Sequence, residues 1–136
     1  MAEKIVVVID DDTPTRRRAA EALRHVLGAH VLPMRSGEPA IAWVRALRPA
    51  LVLTELRGAG FGAELIDRLA RDPDTAAIPV VAVGEDGPDG RDRAARAGAA
   101  GFVAKPFTTT ELVAVVSRCL VALTARDPRP VGLAAD

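Results

Sequence analysis

The amino-acid sequence predicts an α/β protein in which a strand–helix unit repeats five times and builds a doubly wound parallel sheet of strand order 2-1-3-4-5. Three observations support this fold class. Short continuous apolar runs alternate with helical apolar stripes along the chain. The first run, residues 4–9 (KIVVVI), lacks polar alternation, which is typical of a strand covered on both faces. The second contains Pro33, which cannot donate to a neighbouring strand, so strand 2 belongs at a sheet edge.

The first strand is followed directly by three aspartates, Asp10 to Asp12, and then by a helix. Thr13-Pro14 predicts the N-cap with proline in the first turn, and Asp12 is a second candidate for the capping group. An apolar stripe continues this helix as far as Leu27, and Gly28 ends it. The run Arg16 to Arg18 is interpreted as a solvated helix start rather than as a phosphate-binding patch.

Residues 30–34 form the second strand, and Ser36 is predicted to cap a second helix that ends before Pro49. Residues 51–54 form the third strand. A glycine-rich loop, residues 58–62, then leads to the third helix. The exposure of two large apolar residues in this region, Trp43 and Phe61, is left open, and an exposed position would indicate a contact surface.

The second half of the chain repeats the pattern, with a fourth strand over residues 80–83, a short helix over 91–97 and a fifth strand over 101–104. Thr108 and Glu111 have the spacing of a capping box and begin the last helix. We therefore predict one domain over residues 1–123. The tail, residues 124–136, has little to bury and is predicted to be disordered.

Composition excludes several classes of protein. The 136 residues suit one domain, and the 18 basic and 18 acidic residues cancel, which argues against nucleic-acid binding. The single cysteine rules out an internal disulfide. No apolar run approaches the roughly 18 residues that span a bilayer, and the N-terminus lacks the pattern of a signal peptide. We therefore expect a cytoplasmic protein without a membrane partner.

Charged residues follow the strands at one edge of the predicted sheet, where ligands bind in such folds. Asp10 and Asp11 follow the first strand, Glu55 the third, Gly84 the fourth and Lys105 the fifth. Clustered carboxylates repel one another in a partly desolvated cleft, so a cation is expected beside them. Mg²⁺ and the Lys105 ammonium are the two candidates. Lysine is rare in this chain, which supports a specific role for Lys105.

Four segments resemble the receiver domain of bacterial two-component response regulators: VVVIDDDTPTRR, PALVLTEL, IPVVAVGE and GAAGFVAKPF. The resemblance extends from residue 4 to about residue 123, and the segments occur in the family's order and spacing. It implies a flavodoxin-like (βα)5 fold. It also implies a signalling module rather than an enzyme.

The resemblance assigns roles to individual positions. Asp10 and Asp11 match the acidic pair that binds Mg²⁺, and Lys105 matches the lysine of the Lys-Pro pair. Phe102 occupies the position of the switch aromatic residue. Glu55 stands at the phosphoacceptor position, where the family has aspartate, and it is a third candidate Mg²⁺ ligand. Gly84 stands where the family has serine or threonine.

These two departures indicate a degenerate receiver, or pseudo-receiver, that is not phosphorylated at the usual site and binds Mg²⁺ weakly. The glutamate carboxylate lies further into the cleft, and a misplacement of about 1 Å can cost roughly a hundredfold in rate. Gly84 offers no hydroxyl to a phosphoryl oxygen. Two interpretations of Glu55 stay open: it imitates part of the phosphoryl charge, or it is a solvated remnant.

We therefore predict a stand-alone receiver-like domain that acts by protein–protein contact, since 13 residues after Leu123 are too few for a DNA-binding module. A histidine kinase or another signalling protein is the expected partner. The face built by residues 91–123 is the expected contact surface, and a homodimer through it is a further candidate. Two alternatives remain: a haloacid-dehalogenase-like phosphohydrolase, and a receiver phosphorylated in an unusual way.

Overall fold

The computed structural model describes residues 4–57 and 62–126, with side chains described as far as Val121. Phe61 and residues 127–136 of the predicted tail lie outside the described residues. Five strands form one parallel sheet in the order β2-β1-β3-β4-β5, with a helix after each strand. The predicted fold class, a doubly wound flavodoxin-like (βα)5 arrangement, is confirmed. The strands are β1 (Ile5–Ile9), β2 (His30–Met34), β3 (Leu51–Glu55), β4 (Val80–Glu85) and β5 (Gly101–Lys105). The helices are α1 (Thr13–Leu27), α2 (Glu38–Leu47), α3 (Ala63–Arg71), α4 (Pro88–Ala97) and α5 (Thr109–Arg126).

The sheet separates two apolar cores because successive side chains of each strand point to opposite faces. Val6 and Val8 of β1 pack with α1 and α5, whereas Val7 and Ile9 pack with α2, α3 and α4. All four side chains are buried, which explains why β1 shows no polar alternation in the sequence. The polar side chains of the central strand β3, Thr54 and Glu55, therefore lie at its carboxyl end.

Several element ends differ from the sequence predictions. Asp12 caps α1, accepting a hydrogen bond from the Thr15 N–H at 3.0 Å, and Thr13 is already helical. Ser36 does not cap α2, whose N-cap is Gly37 without a side-chain bond. The Ser36 hydroxyl instead donates a hydrogen bond to the Asp11 carboxylate, 25 residues away in the sequence. The predicted capping box of α5 is confirmed, with Glu111 N–H donating to Thr108 Oγ1 at 3.1 Å.

The last two helices are longer than the sequence indicates. Helix α4 begins at Pro88, three residues before the predicted start, because proline fits the first turn of a helix. Helix α5 continues to Arg126, three residues past the predicted domain boundary at 123. Composition alone predicts the end of α5 poorly, because no helix-breaking residue follows Leu123 until Pro128.

Strand β2 lies at the sheet edge, as Pro33 predicts. The Met34 carbonyl accepts from the Asp10 N–H at 3.1 Å and so faces β1, which leaves the alternate residues Val31 and Pro33 facing outward. The Val31 carbonyl is occupied by Arg24 Nη2 at 3.1 Å, and Pro33 has no N–H. This edge is therefore poorly suited to pairing with another strand.

Candidate functional site

Three charged side chains meet at the carboxyl ends of the strands. Asp10 follows β1, Glu55 ends β3 and Lys105 ends β5. Lys105 Nζ lies 3.6 Å from Asp10 Oδ2 and 3.9 Å from Glu55 Oε2. The structure thus brings together the carboxylates and the lysine that the strand order places at one edge.

The Glu55 side chain is held inside the cleft rather than solvated. Only 6% of the residue is exposed, because β3 is buried along its whole length. Its Oε1 accepts a hydrogen bond from the Asp11 N–H at 3.0 Å, and its Oε2 faces Lys105. The interpretation of Glu55 as a solvated remnant is therefore inconsistent with its burial.

The two aspartates of the predicted acidic pair have separate bonding partners. Asp10, 3% exposed, accepts from the Asp12 N–H at 2.8 Å through Oδ1, while its Oδ2 faces Lys105. Asp11 accepts from the Ser36 N–H at 3.0 Å and from the Ser36 hydroxyl at 2.8 Å. Ser36 was not predicted to be a site residue, because in the sequence its place before α2 suggests only a cap.

The carboxyl groups differ in how readily they ionise. Burial raises the pKa of Glu55 from 4.5 to about 7, the charges of Asp10 and Asp11 add to this rise, and the Asp11 N–H opposes it. Burial also acts to raise the pKa of Asp11, but the two hydrogen bonds from Ser36 outweigh it, so that this pKa lies below its ordinary value. Glu55 therefore accepts a proton near neutral pH, whereas Asp11 stays ionised there.

The position of Gly84 is filled by its neighbours. A Cβ built on Gly84 would lie 3.3 Å from Phe102 Cε1 and 3.3 Å from Leu56 Cβ, closer than most such contacts. Arg91 stacks on the Phe102 ring, with its Cζ 4.9 Å from the ring centroid. The aromatic side chain therefore lies directly beside the place where the family carries a hydroxyl group.

Two arginines near the start of α1 contact the backbone around the site. Arg16 Nη1 donates to the Asp10 carbonyl, and Arg18 Nη2 donates to the Phe107 carbonyl at 3.0 Å. Arg17 and Arg18 are both exposed, as the predicted solvated helix start implies, whereas Arg16 is partly buried. Arg17 is exposed and has no hydrogen bond, ion pair or ring contact within the described part of the chain.

The carboxylates of Asp10, Asp11 and Glu55, the predicted Mg²⁺ ligands, already have partners within the protein. Across residues 4–57 and 62–126, no three acidic, histidine or cysteine side chains are arranged to hold a metal ion. Ser36 bonds to both oxygens of Asp11, and Lys105 lies beside the oxygens of Asp10 and Glu55 that have no N–H donor. These two oxygens, Asp10 Oδ2 and Glu55 Oε2, are carboxylate oxygens of the kind that Mg²⁺ prefers. Mg²⁺ binding by Asp10, Asp11 and Glu55 stays a prediction.

Two further findings concern the surface. Trp43 on α2 is 56% exposed, which answers the question that the sequence left open for it. Within the described residues, none of the helices combines the length and the apolar content needed to cross a membrane.

The sequence profile of the response regulator receiver domain matches residues 6–117. The phosphate regulon transcriptional regulatory protein PhoB of Pseudomonas aeruginosa is 34% identical over 118 residues, which is 84% of this chain and 50% of PhoB. The chain thus spans half the length of that relative. Protein PilH of the same organism is 28% identical over 116 residues, which is 84% of this chain and 96% of PilH.

Solved structures show the same fold. The receiver domain of NtrX from Brucella abortus superposes with a TM-score of 0.78 at 26% identity, covering 85% of this chain and 98% of that one. The chemotaxis protein CheY4 of Vibrio cholerae gives 0.79 at 21% identity, covering 87% and 99%. The profile match covers most of the chain, and the strand order, the charged strand ends and these structures agree with it. The chain therefore belongs to the response regulator receiver domain family of two-component signalling.

Proposed function

We propose that this chain is a receiver-type signalling domain that acts by protein–protein contact in the cytoplasm and is not phosphorylated at the usual position. The observation that carries the proposal is the place of Glu55. Its carboxylate is buried, bonds to the Asp11 N–H and lies 3.9 Å from Lys105 Nζ. Glu55 thereby supplies, in part, the negative charge that a phosphoryl group brings to this lysine.

The chemistry of the acceptor position supports the same proposal. A carboxylate displaced by one methylene is poorly placed for in-line attack on a phosphodonor, since about 1 Å of misplacement can cost roughly a hundredfold in rate. The Glu55 oxygens are moreover occupied by the Asp11 N–H and by Lys105. Gly84 supplies no hydroxyl, and Phe102 fills the space beside it.

We expect no stable phosphorylation at position 55. Incubation with Mg²⁺ and acetyl phosphate, followed by intact-mass measurement, should give no gain of about 80 Da. The double variant Glu55→Asp, Gly84→Thr restores both missing groups and is the matched positive control, expected to gain this mass. A mass gain in the wild type that Glu55→Gln abolishes would contradict the proposal.

A receiver phosphorylated in an unusual way is the second candidate, and the same experiment separates it. A mass gain that survives Glu55→Gln indicates another acceptor. The match to the receiver family over residues 6–117 argues against the alternative hypothesis of a haloacid-dehalogenase-like phosphohydrolase. Such an enzyme also needs a further acidic cluster after Lys105, and the sequence there offers only scattered acidic residues.

We expect Mg²⁺ to bind weakly through Asp10 and Glu55, with Asp11 joining only if Ser36 releases it. At a Kd of about 1 mM, 10 mM Mg²⁺ should raise the melting temperature by roughly 5 °C. The rise should be larger at pH 8 than at pH 6, because the cation favours ionised Glu55. Potassium chloride at equal ionic strength is the control. No shift beyond that control, or an equal shift in Asp10→Asn, would count against the site.

For the partner we propose a histidine kinase or another signalling protein, contacted through the surface of residues 91–123. Within the described part of that surface, Val121 on α5 is 67% exposed. A homodimer through the same surface is the alternative. The similarity to PilH over 96% of its length supports action as a single receiver, whereas the chain matches only half of PhoB.

A further inference from the structure

We infer that Arg18 is a positioning residue for Lys105: it fixes the turn of residues 105–107 so that the ammonium faces Asp10 and Glu55. Two arginines of α1 bond to main-chain carbonyls on opposite sides of the cleft. Arg16 bonds to the Asp10 carbonyl after β1, and Arg18 bonds to the Phe107 carbonyl after β5. The inference rests on the proposed function only in taking Lys105 as the counter-charge of the carboxylates.

Arg18 contacts Phe107 in two ways, across 89 residues of sequence. Its Nη2 donates to the Phe107 carbonyl at 3.0 Å, and its Cζ lies 5.2 Å from the centroid of the Phe107 ring. Both contacts use the planar guanidinium, which combines directional donors with a face that stacks on aromatic rings. Phe107 itself is 5% exposed and packs in the core beneath α1 and α5. Arg18 therefore links the surface of α1 to the buried residue Phe107.

Fixing the Phe107 main chain also restrains Lys105, because only Pro106 lies between Lys105 and Phe107 in the sequence. The ion pairs of Lys105, at 3.6 and 3.9 Å, are longer than hydrogen bonds and leave the flexible four-carbon stem poorly directed. The Arg18–Phe107 bond is directional, so it supplies the constraint that these ion pairs lack. Arg16 holds the Asp10 main chain in the same manner, and α1 thus connects both sides of the cleft.

The test uses the fact that Lys4 and Lys105 are the only lysines of the chain. Lys4 is exposed, so competitive acetylation with acetic anhydride followed by peptide mass spectrometry gives the Lys105-to-Lys4 labelling ratio with an internal reference. In Arg18→Met this ratio should rise about three- to fivefold, the change expected from losing one partly buried hydrogen bond and a cation–π contact. Arg18→Gln keeps a donor and should give a smaller rise.

Arg17→Met is the matched control, because Arg17 is the exposed neighbour without a side-chain contact in the described part of the chain. It should leave the labelling ratio unchanged. A purely structural role for Arg18 would lower the melting temperature without changing the ratio, and that result overturns the inference. An equal rise in Arg17→Met overturns it as well. If the Lys105-to-Lys4 labelling ratio is unchanged in Glu55→Gln, the proposed role of Glu55 is contradicted. The inference about Arg18 does not depend on that result.

Discussion

Glutamine at position 55 is expected to stabilise the protein by about 2 to 3 kcal/mol at pH 8.5 and to change its stability little at pH 5. Glutamine has nearly the same shape as glutamate and its amide oxygen can still accept the hydrogen bond from the Asp11 N–H. It removes the one negative charge of the cluster that burial most disfavours. Asp10 remains as the nearer partner of Lys105, at 3.6 Å.

The sign follows from the raised pKa of Glu55. In the folded protein this pKa is about 7, against an ordinary 4.5 in the unfolded chain. Between these values the folded state retains a proton that the unfolded state has lost, so stability is complete below pH 4.5 and falls as the pH rises through 7. Each pKa unit corresponds to about 1.4 kcal/mol, and water entering the cleft reduces the total. Glu55→Gln should remove this fall.

Denaturant unfolding between pH 5 and pH 8.5, in buffer containing EDTA, measures the effect. Glu21→Gln is the matched control, because Glu21 is exposed on α1 and has no hydrogen bond or ion pair in the described part of the chain. The control should follow the wild-type curve at every pH. Wild-type and Glu55→Gln curves that run parallel throughout would show that Glu55 ionises normally in the folded protein.

The convergence of Asp10, Glu55 and Lys105 could be predicted from sequence because it depends only on connectivity. Buried apolar runs define the strands, their parallel pairing brings all carboxyl ends to one edge, and Pro33 identifies the edge strand. Each of these steps uses local composition and general rules of chain topology. The residues at the ends of β1 and β3 must then lie side by side, whereas Lys105 on β5 reaches them across β4 through its long, flexible side chain.

The partners of those side chains could not be predicted in the same way. Ser36 bonds to Asp11 instead of capping α2, and Arg18 bonds to a carbonyl 89 residues away. In both cases the hydrogen-bond partner is decided by which acceptor the side chain can reach in the folded structure. The proximity of Phe102 to Gly84 is of the same kind, since a missing Cβ leaves a space whose occupant the sequence does not name.

Removing the lysine should cost more stability than removing the glutamate. Lys105→Ala leaves Asp10 and Glu55 without the ammonium that they share, and we expect a loss of about 2 to 3 kcal/mol at pH 8, below the range for fully buried pairs because the Lys105 side chain is 32% exposed. At pH 5 the loss should fall to about 1 kcal/mol, because Glu55 then takes up a proton and the repulsion weakens. Lys4→Ala is the matched control and should change little.

Glu55→Ala should be milder at pH 8, about 1 kcal/mol, because losing the hydrogen bond from the Asp11 N–H is partly offset by the repulsion that disappears with the charge. Asp10 still pairs with Lys105 in this variant. The gap between the two variants should narrow in 10 mM Mg²⁺, since the metal can replace the missing ammonium beside Asp10 and Glu55. Equal losses at pH 8, or a larger loss for Glu55→Ala, would mean that Lys105 does not neutralise the carboxylate cluster.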